Sequence, residues 1–572
     1  MEKIINKNLK NKKIEEVGFY IMNLLRDSFN REDSVSYQVA VTTLALILNE
    51  THNRSSMISY LENHIGDETT LTFLKKIEKE YYNQVEDLSK KFDVETLKAA
   101  VLHAEPRRFT ATDVSSTPEG ISNLAISLLS LTQDDIILDL GSGVGSFLIQ
   151  AAKASKSKNL YGVEINTTNV IIANLRKFIN GLPIKVIQGN IISQDYSSLS
   201  ANKVFSNYPL GMRLPMLEKY LDQNTKLKKY FKEAKRTVSG DWIFGMAAYL
   251  NMHMPGKTVI LMSNAGTWNK PDEVFRQKLL ENGIVEGIIL LPARLLSSTM
   301  IPLTMIVLSN NNKEVRMVDA SEIYTEGRRQ NSLESKDVKK IIEAYYSDTS
   351  ISKKVKLNKI AKQEYILNPQ RYIGADSGIA DGISLGEISK TISRGAMIKS
   401  KELDELISTK ETNFQYLMLQ NIQDGVVESN LPSLVGIDKK YRKYCISDKN
   451  LIISKISPFK VAMAHLKNDE IVLANGNLYF IELDEEKVNP VFVEIFLQSE
   501  TGIAQLNRFA KGAAMKSINI QDLKMIQIPN IPRKKQDLIA ENYENLCDEL
   551  IVLQRQSDLI RDRKAKLLEE VI

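Results

Sequence analysis

From about residue 106 to residue 310 the chain alternates short aliphatic, β-branched runs with stretches of helical periodicity. The runs lie at 136–140 (IILDL), 159–163, 184–187, 204–206, 258–262, 287–291 and 304–308. Between most of them apolar residues recur at helical spacing, as at 167–180 and 271–282. A run with no polar alternation suits a strand buried on both faces, and strands separated by helices suit a parallel sheet. The fold class expected is α/β, with a doubly wound, Rossmann-like sheet over 106–330.

The flanking regions read differently. Residues 1–105 carry helical apolar spacing, clearest at 17–25 and 39–48, and form a helical N-terminal domain. Residues 331–380 are a polar connecting segment with one helical piece near 334–346. Residues 381–532 hold several short strands and Gly-containing turns, a mixed α+β domain. At 533–572, Ile539, Tyr543, Leu546, Leu550, Leu553, Ser557, Ile560, Lys564, Leu567 and Val571 follow a 4-3 spacing. That seam predicts a long coiled-coil helix seeking a helical partner, or an amphipathic helix on its own domain.

Composition removes several classes. In 572 residues, 43% are hydrophobic and 25% charged, with a net charge of +5, so neither a disordered chain nor a strongly basic one is described. Two cysteines, Cys445 and Cys547, exclude a disulfide framework and a cysteine zinc cage. The five histidines are scattered, and no metal site is expected. No apolar stretch is long enough to span a membrane and the N-terminus has no leader-like core, so a cytoplasmic protein is expected.

The first run ends in Asp139-Leu140-Gly141-Ser142-Gly143-Val144-Gly145-Ser146. Glycines let a backbone turn sharply and approach a ligand closely. The second run ends at Glu164, where a doubly wound fold holds ribose hydroxyls. The pair suits a nucleoside ligand without a pyrophosphate. A purely structural glycine turn beside a surface glutamate is the plainer alternative.

DLGSGVGSF followed by VEIN resembles the cofactor site of S-adenosylmethionine-dependent methyltransferases. That resemblance implies that Gly141, Gly143 and Gly145 make room for the methionine part. It implies that Asp139 orients the loop or meets the amino group, and that Glu164 holds the ribose. Asn190, where the family usually has Asp, would face the adenine. Thr117 and Pro118 resemble the Thr-Pro segment that opens the fold, and the resemblance implies that both lie at the cofactor. The fourth run leads into Asn207-Tyr208-Pro209-Leu210, which resembles the Asn-Pro-Pro-aromatic motif of methyltransferases acting on the adenine amino group in DNA. An exocyclic amine is a poor nucleophile, because its lone pair is delocalised into the ring. The Asn207 oxygen and the carbonyl at 208 would accept its two hydrogens and return electron density to nitrogen. Here Tyr208 replaces the first proline and Leu210 the aromatic. A lost stacking face costs about 1–3 kcal/mol, and Tyr208 could supply one from the neighbouring position.

SGDWIFGMAAYL, PGKTVILMSN, FRQKLLENGIVEGIILLPARLL and LNPQRYI resemble the modification subunit of type I restriction–modification systems over about 1–373. Leu385-Gly386-Glu387-Ile388, Ser393-Arg394-Gly395, Asn421-Ile422-Gln423-Asp424-Gly425 and Leu473-Ala474-Asn475-Gly476-Asn477-Leu478-Tyr479 resemble one target-recognition domain of a type I specificity subunit, and Asp522-Leu523 with Ile528-Pro529, entering the last helix, resemble its spacer, over about 380–572. The resemblance implies double-stranded DNA as partner and a homodimer through the last helix. A separate restriction or specificity subunit is a further partner it allows. Two basic patches suit phosphate contact: Lys228, Lys229, Lys232 and Arg236 in one, Lys439, Lys440, Arg442 and Lys443 in the other. Solvated surface is the plainer reading of both.

The expected function is site-specific, S-adenosylmethionine-dependent methylation of adenine in DNA. The alternative is a cofactor- and DNA-binding protein whose altered motif has lost methyl transfer. A nicotinamide oxidoreductase is disfavoured by Ser146 in place of a third fingerprint glycine.

Overall fold

The alternating region folds into one nine-stranded sheet. Its strands are β1 (Ile136–Leu140), β2 (Asn159–Glu164), β3 (Ile184–Gln188), β4 (Lys203–Asn207), β5 (Lys257–Ser263), β6 (Val285–Leu290), β7 (Leu303–Leu308), β8 (Glu314–Asp319) and β9 (Ser352–Lys356). The computed structural model describes residues 16–21, 23, 34–104, 116–232, 238–297, 299–328, 330–373, 379, 381–428, 430–467, 469–510 and 516–569. The expected apolar residues Leu24, Leu25 and Val571, and Arg236 of the first basic patch, lie outside them. The chain divides into two units, Met1–Ile373 and Gly374–Ile572.

In the first unit the strand order is β3-β2-β1-β4-β5-β7-β6-β8-β9. Strands β1 to β5 pair in parallel, β7 runs antiparallel between β5 and β6, and β9 antiparallel to β8. The order reverses between β1 and β4. Adjacent connections leave in opposite directions there, and the crevice at the strands' carboxyl ends is where such sheets bind ligands. Both faces are covered around the central strands, which is why those strands read as apolar runs. Leu138, Val204 and Ile260 enter one core with helices Leu214–Leu221 and Gly240–Leu250. Ile137, Phe205 and Val259 enter the other with helices Glu119–Leu129 and Ser146–Ser155.

The segment read as a polar connection does more than connect. Its expected helix is present at Ser335–Tyr346. On either side of it β8 and β9 extend the sheet, β8 pairing in parallel with β6. In β9, Ser-Lys-Lys-Val-Lys buries only Ser352 and Val355, so an edge strand rich in lysine left no apolar signal.

Helices Ser34–Thr51, Arg54–His64, Glu68–Lys91 and Val94–His103 precede the sheet, three of them capped by Asn53, Asp67 and Asp93. They share one core with Ile171, Ile172 and Leu175 of the helix Thr167–Ile179. From that helix the buried Arg176 donates to the carbonyls of Val101 (3.1 Å) and Ala104 (2.8 Å).

The second unit has a four-stranded antiparallel sheet (Ser389–Arg394, Leu478–Leu483, Leu451–Ser454, Val461–Met463) and a three-stranded mixed one (Phe414–Leu417, Ile471–Ala474, Cys445–Ile446). Helix Arg533–Glu569 follows, 37 residues or about 55 Å long. Its first turns pack on their own unit. Gln536 accepts from the Asn489 backbone N–H at 2.8 Å, and Tyr543 donates to Gln498 at 3.2 Å. Beyond Tyr543 the described seam residues Leu546, Leu553 and Ile560 are 64%, 57% and 65% exposed.

Candidate active site

The glycine turn follows β1 and the Asn207 motif follows β4, so the sheet places both at the reversal of strand order. Gly141, Gly143 and Gly145 all take positive φ (83°, 52° and 80°), a region that favours glycine. The turn is tied down on the β2 side, where the Gly141 and Ser142 N–H groups donate to the Val163 carbonyl at 2.9 and 3.0 Å. On the β4 side, Ser206 Oγ donates to the Leu140 carbonyl at 2.5 Å. A Cβ at Gly141 would stand 3.7 Å from the Asn207 carbonyl oxygen and 4.0 Å from Tyr208 Cα. The two motifs touch through backbone.

Glu164 stands at the end of β2, buried, with its carboxylate accepting from Gly143 N (2.9 Å) and Asn166 N (2.8 Å). It fixes the turn. A carboxylate has about four acceptor positions, so each oxygen keeps a lone pair for a ribose hydroxyl. Asp139 is buried at the end of β1, and its Oδ1 has no hydrogen-bond partner. Burial and the nearby Glu164 carboxylate push its pKa well above the usual carboxylate range. Ser142 Oγ is likewise buried and unpartnered. Two orphaned polar groups and two clustered carboxylates form a cradle short of positive charge. A ligand with an ammonium and a sulfonium group fits that deficit.

Asn190 is placed differently from its expected role. Its side-chain oxygen accepts from Ile192 N (2.9 Å) and Ser193 N (3.1 Å), closing the turn after β3. An amide already bridging two N–H groups is a weak acceptor for an adenine amino group.

The β4 motif divides by burial. Asn207 is half-buried, and its side-chain nitrogen donates to Thr117 Oγ1 at 3.0 Å. That bond commits the amide nitrogen and leaves the amide oxygen as the acceptor. Thr117 therefore meets Asn207, where the sequence pointed it at the cofactor. Pro118 serves as N-cap of Glu119–Leu129 without a side-chain bond. Tyr208 is 2% exposed, so the stacking face considered for it is turned inward. Its ring lies on Phe244 at 4.6 Å and 12°, and its hydroxyl donates to the Asp241 carbonyl at 2.9 Å. Pro209 is exposed and Leu210 half-buried. Phe244, Asp241 and Ser142 had no assigned role in the sequence. The segment holding the first two, SGDWIFGMAAYL, was legible only as a resemblance.

In the first basic patch Lys228 pairs with Asp222 (2.8 Å), while Lys229 and Lys232 are exposed. In the second unit, Lys439–Tyr444 is a short 3-10 helix. Lys440 pairs with Glu402 (2.8 Å), and Lys439, Arg442 and Lys443 are exposed around the buried Tyr441. Among the described residues no His, Cys, Asp or Glu cluster could hold a metal ion.

Residues 108–379 match the N-6 DNA methylase family. The chain is 24% identical over 310 residues to the type I restriction enzyme MjaVIII methylase subunit of Methanocaldococcus jannaschii, covering 49% of this chain and 52% of that protein. It is 34% identical over 116 residues to a protein-lysine N-methyltransferase of Saccharolobus islandicus, covering 19% of this chain and 71% of that protein. A solved type I restriction-modification methyltransferase subunit from Streptococcus thermophilus aligns at 18% identity and a TM-score of 0.47, over 63% of this chain and 99% of that one. The chain spans about half the length of the curated relatives it matches first. S-adenosylmethionine is the cofactor that goes with this family, and the charge-deficient cradle fits it. The glycine turn, the acid after β2 and the Asn-x-Pro motif, joined at one reversal of strand order, all lie within the residues 108–379 that match the N-6 DNA methylase family.

Proposed function

We propose that the protein transfers a methyl group to the exocyclic amino group of adenine in double-stranded DNA, as the modification component of a cytoplasmic restriction–modification or related defence system. The observation carrying this is the Asn207 amide, held by Thr117 with its oxygen committed as acceptor, against the glycine turn. Bound S-adenosylmethionine supplies the electrophilic methyl. Asp139 and Ser142 hold the ammonium end and Glu164 the ribose. Asn207 Oδ1 and the carbonyl at 208 accept the two amino hydrogens, so that lone-pair density returns to nitrogen. Catalysis is mostly positioning. The target base must leave the duplex to reach this crevice.

The second unit reads the DNA target, with Lys439, Arg442 and Lys443 on the phosphates. A second copy of the chain covers Leu546, Leu553 and Ile560, giving a homodimer with two recognition units and a two-fold-symmetric site. A separate restriction subunit would do any cutting.

The second reading, a binding protein without methyl transfer, is favoured by one observation: Tyr208 faces the core and Leu210 is no aromatic. Incubation with labelled S-adenosylmethionine and duplex DNA separates the two. Label in adenine, lost in Asn207→Ala, supports the enzyme. Cofactor and DNA binding without label supports the second reading.

A further inference from the structure

In the motif the carbonyl at 208 must point at the amino group, and its direction depends on φ and ψ of residue 208. Pro209 restricts ψ at 208, because the residue before proline is held in the extended region. A proline at 208 would fix φ covalently, near −65°. With Tyr208 there, φ is covalently free.

We propose that the Tyr208 side chain replaces that missing ring closure: Phe244 and the Asp241 carbonyl clamp the tyrosine from the core and thereby aim the carbonyl at 208. The inference rests on the adenine-methylating function proposed above. Three observations support it. The Tyr208 ring is buried and nearly parallel to Phe244, at 4.6 Å and 12°. Its hydroxyl is tied to a backbone carbonyl at the start of helix Gly240–Leu250, 2.9 Å away. That helix start is itself fixed: Trp242 donates to the Gly266 carbonyl at 2.9 Å, and Ser263 Oγ donates to the Asp241 carboxylate. Burial and the nearby Asp241 and Asp272 hold the phenol well above its usual range, so it stays a donor. Both ends of the side chain are thus held, which leaves Cα–Cβ one direction and residue 208 one backbone conformation. Phe244 and Asp241 are positioning residues, acting through Tyr208 and not on the substrate.

The test is steady-state methyl transfer to adenine in duplex DNA, with cofactor affinity measured in parallel by calorimetry. Tyr208→Phe, which keeps the ring and loses the tie, should lower kcat about 3- to 10-fold with KM for S-adenosylmethionine and its Kd unchanged. Phe244→Leu should lower kcat more than tenfold, and Phe244→Tyr, which restores a ring, should recover most of it. In a Tyr208→Pro background Phe244→Leu should change kcat less than twofold, because a covalent ring no longer needs the clamp. If Tyr208→Pro does not fold, Tyr208→Phe and the Leu-against-Tyr comparison at 244 carry the test. Wild-type kcat in both Tyr208→Phe and Phe244→Leu overturns the proposal while leaving the enzyme reading intact. So does an equal loss from Phe244→Leu in both backgrounds. A wild-type protein that binds cofactor and DNA but never labels adenine overturns the enzyme reading itself, and the clamp with it.

Discussion

Asn207 donates its side-chain N–H to Thr117 Oγ1 across 3.0 Å, joining the end of β4 to the residue that precedes the N-cap of helix Glu119–Leu129. An amide so held cannot exchange its oxygen and nitrogen ends without losing the bond. Thr117→Val keeps the shape and removes the acceptor. It should lower kcat about tenfold, in line with about 1.4 kcal/mol for a neutral hydrogen bond, with cofactor Kd unchanged. Thr117→Ser should restore activity. A raised cofactor Kd with normal kcat would instead return Thr117 to the cofactor.

Asp139 gives a test in which affinity and stability move in opposite directions. Its buried, unpartnered carboxyl has its pKa pushed up by burial first and by Glu164 second. A raised pKa means that the native state holds the proton to higher pH than the unfolded chain, so stability falls as pH rises through that range. Asp139→Asn carries no charge and should unfold at a higher temperature than wild type at pH 8 without cofactor. It should bind S-adenosylmethionine about 10- to 100-fold more weakly, the loss expected for a charge-assisted hydrogen bond. Calorimetry and thermal unfolding of the same samples check both arms. Unchanged affinity would remove Asp139 from the cofactor site.

The second unit contains its own titrating group. Glu494 is buried, accepts from Met463 N (2.9 Å) and Gln498 Nε2 (3.1 Å), and is pushed up to about 7 by burial. From the usual carboxylate value up to pH 7 the native state keeps a proton that the unfolded state has lost. Stability therefore declines across that window by about 3 kcal/mol and levels above it. Glu494→Gln should lack the decline, so its advantage over wild type in thermal unfolding should widen from pH 5 to pH 8. A pH-independent difference would show that Glu494 does not carry the titration.

The two basic patches predict separable salt effects. Each phosphate contact removed should lower the slope of log affinity against log salt by about 0.9. Arg442→Ala and Lys443→Ala should each do so in a DNA-binding titration. Lys228→Ala should do less than Lys229→Ala, because Lys228 already faces Asp222. Identical slopes in all variants would mark both patches as solvated surface.

The sequence was most legible where burial was complete. β1, β2 and β4 to β7 are largely buried apolar runs, and they and the edge strand β3 each sit within two residues of their expected place. It was least legible where a strand is polar or a contact is long-range. β9 offers Lys353, Lys354 and Lys356 to solvent and gave no pattern. The inward turn of Tyr208 depends on Phe244, 36 positions later, and no local periodicity announces that pairing. Asn190 kept its expected position but lost its free oxygen to the turn it closes. The first turns of the last helix pack on their own domain and its described seam residues beyond Tyr543 are exposed, a division the sequence did not show, because a heptad seam does not say where the helix leaves its own domain.

The placement of Arg176 bears on how such a chain can be rearranged. The residue, 2% exposed, belongs to the helix Thr167–Ile179 that packs on the sheet, while two of its acceptors, the carbonyls of Val101 and Ala104, belong to the helical N-terminal region. Cutting between the two would strand a cation in an apolar seam and bare Ile172 and Leu175. The N-terminal helices are therefore not a cassette. Recombination that moves this sheet into another chain must carry these helices along, or the transplanted sheet arrives with one of its walls missing.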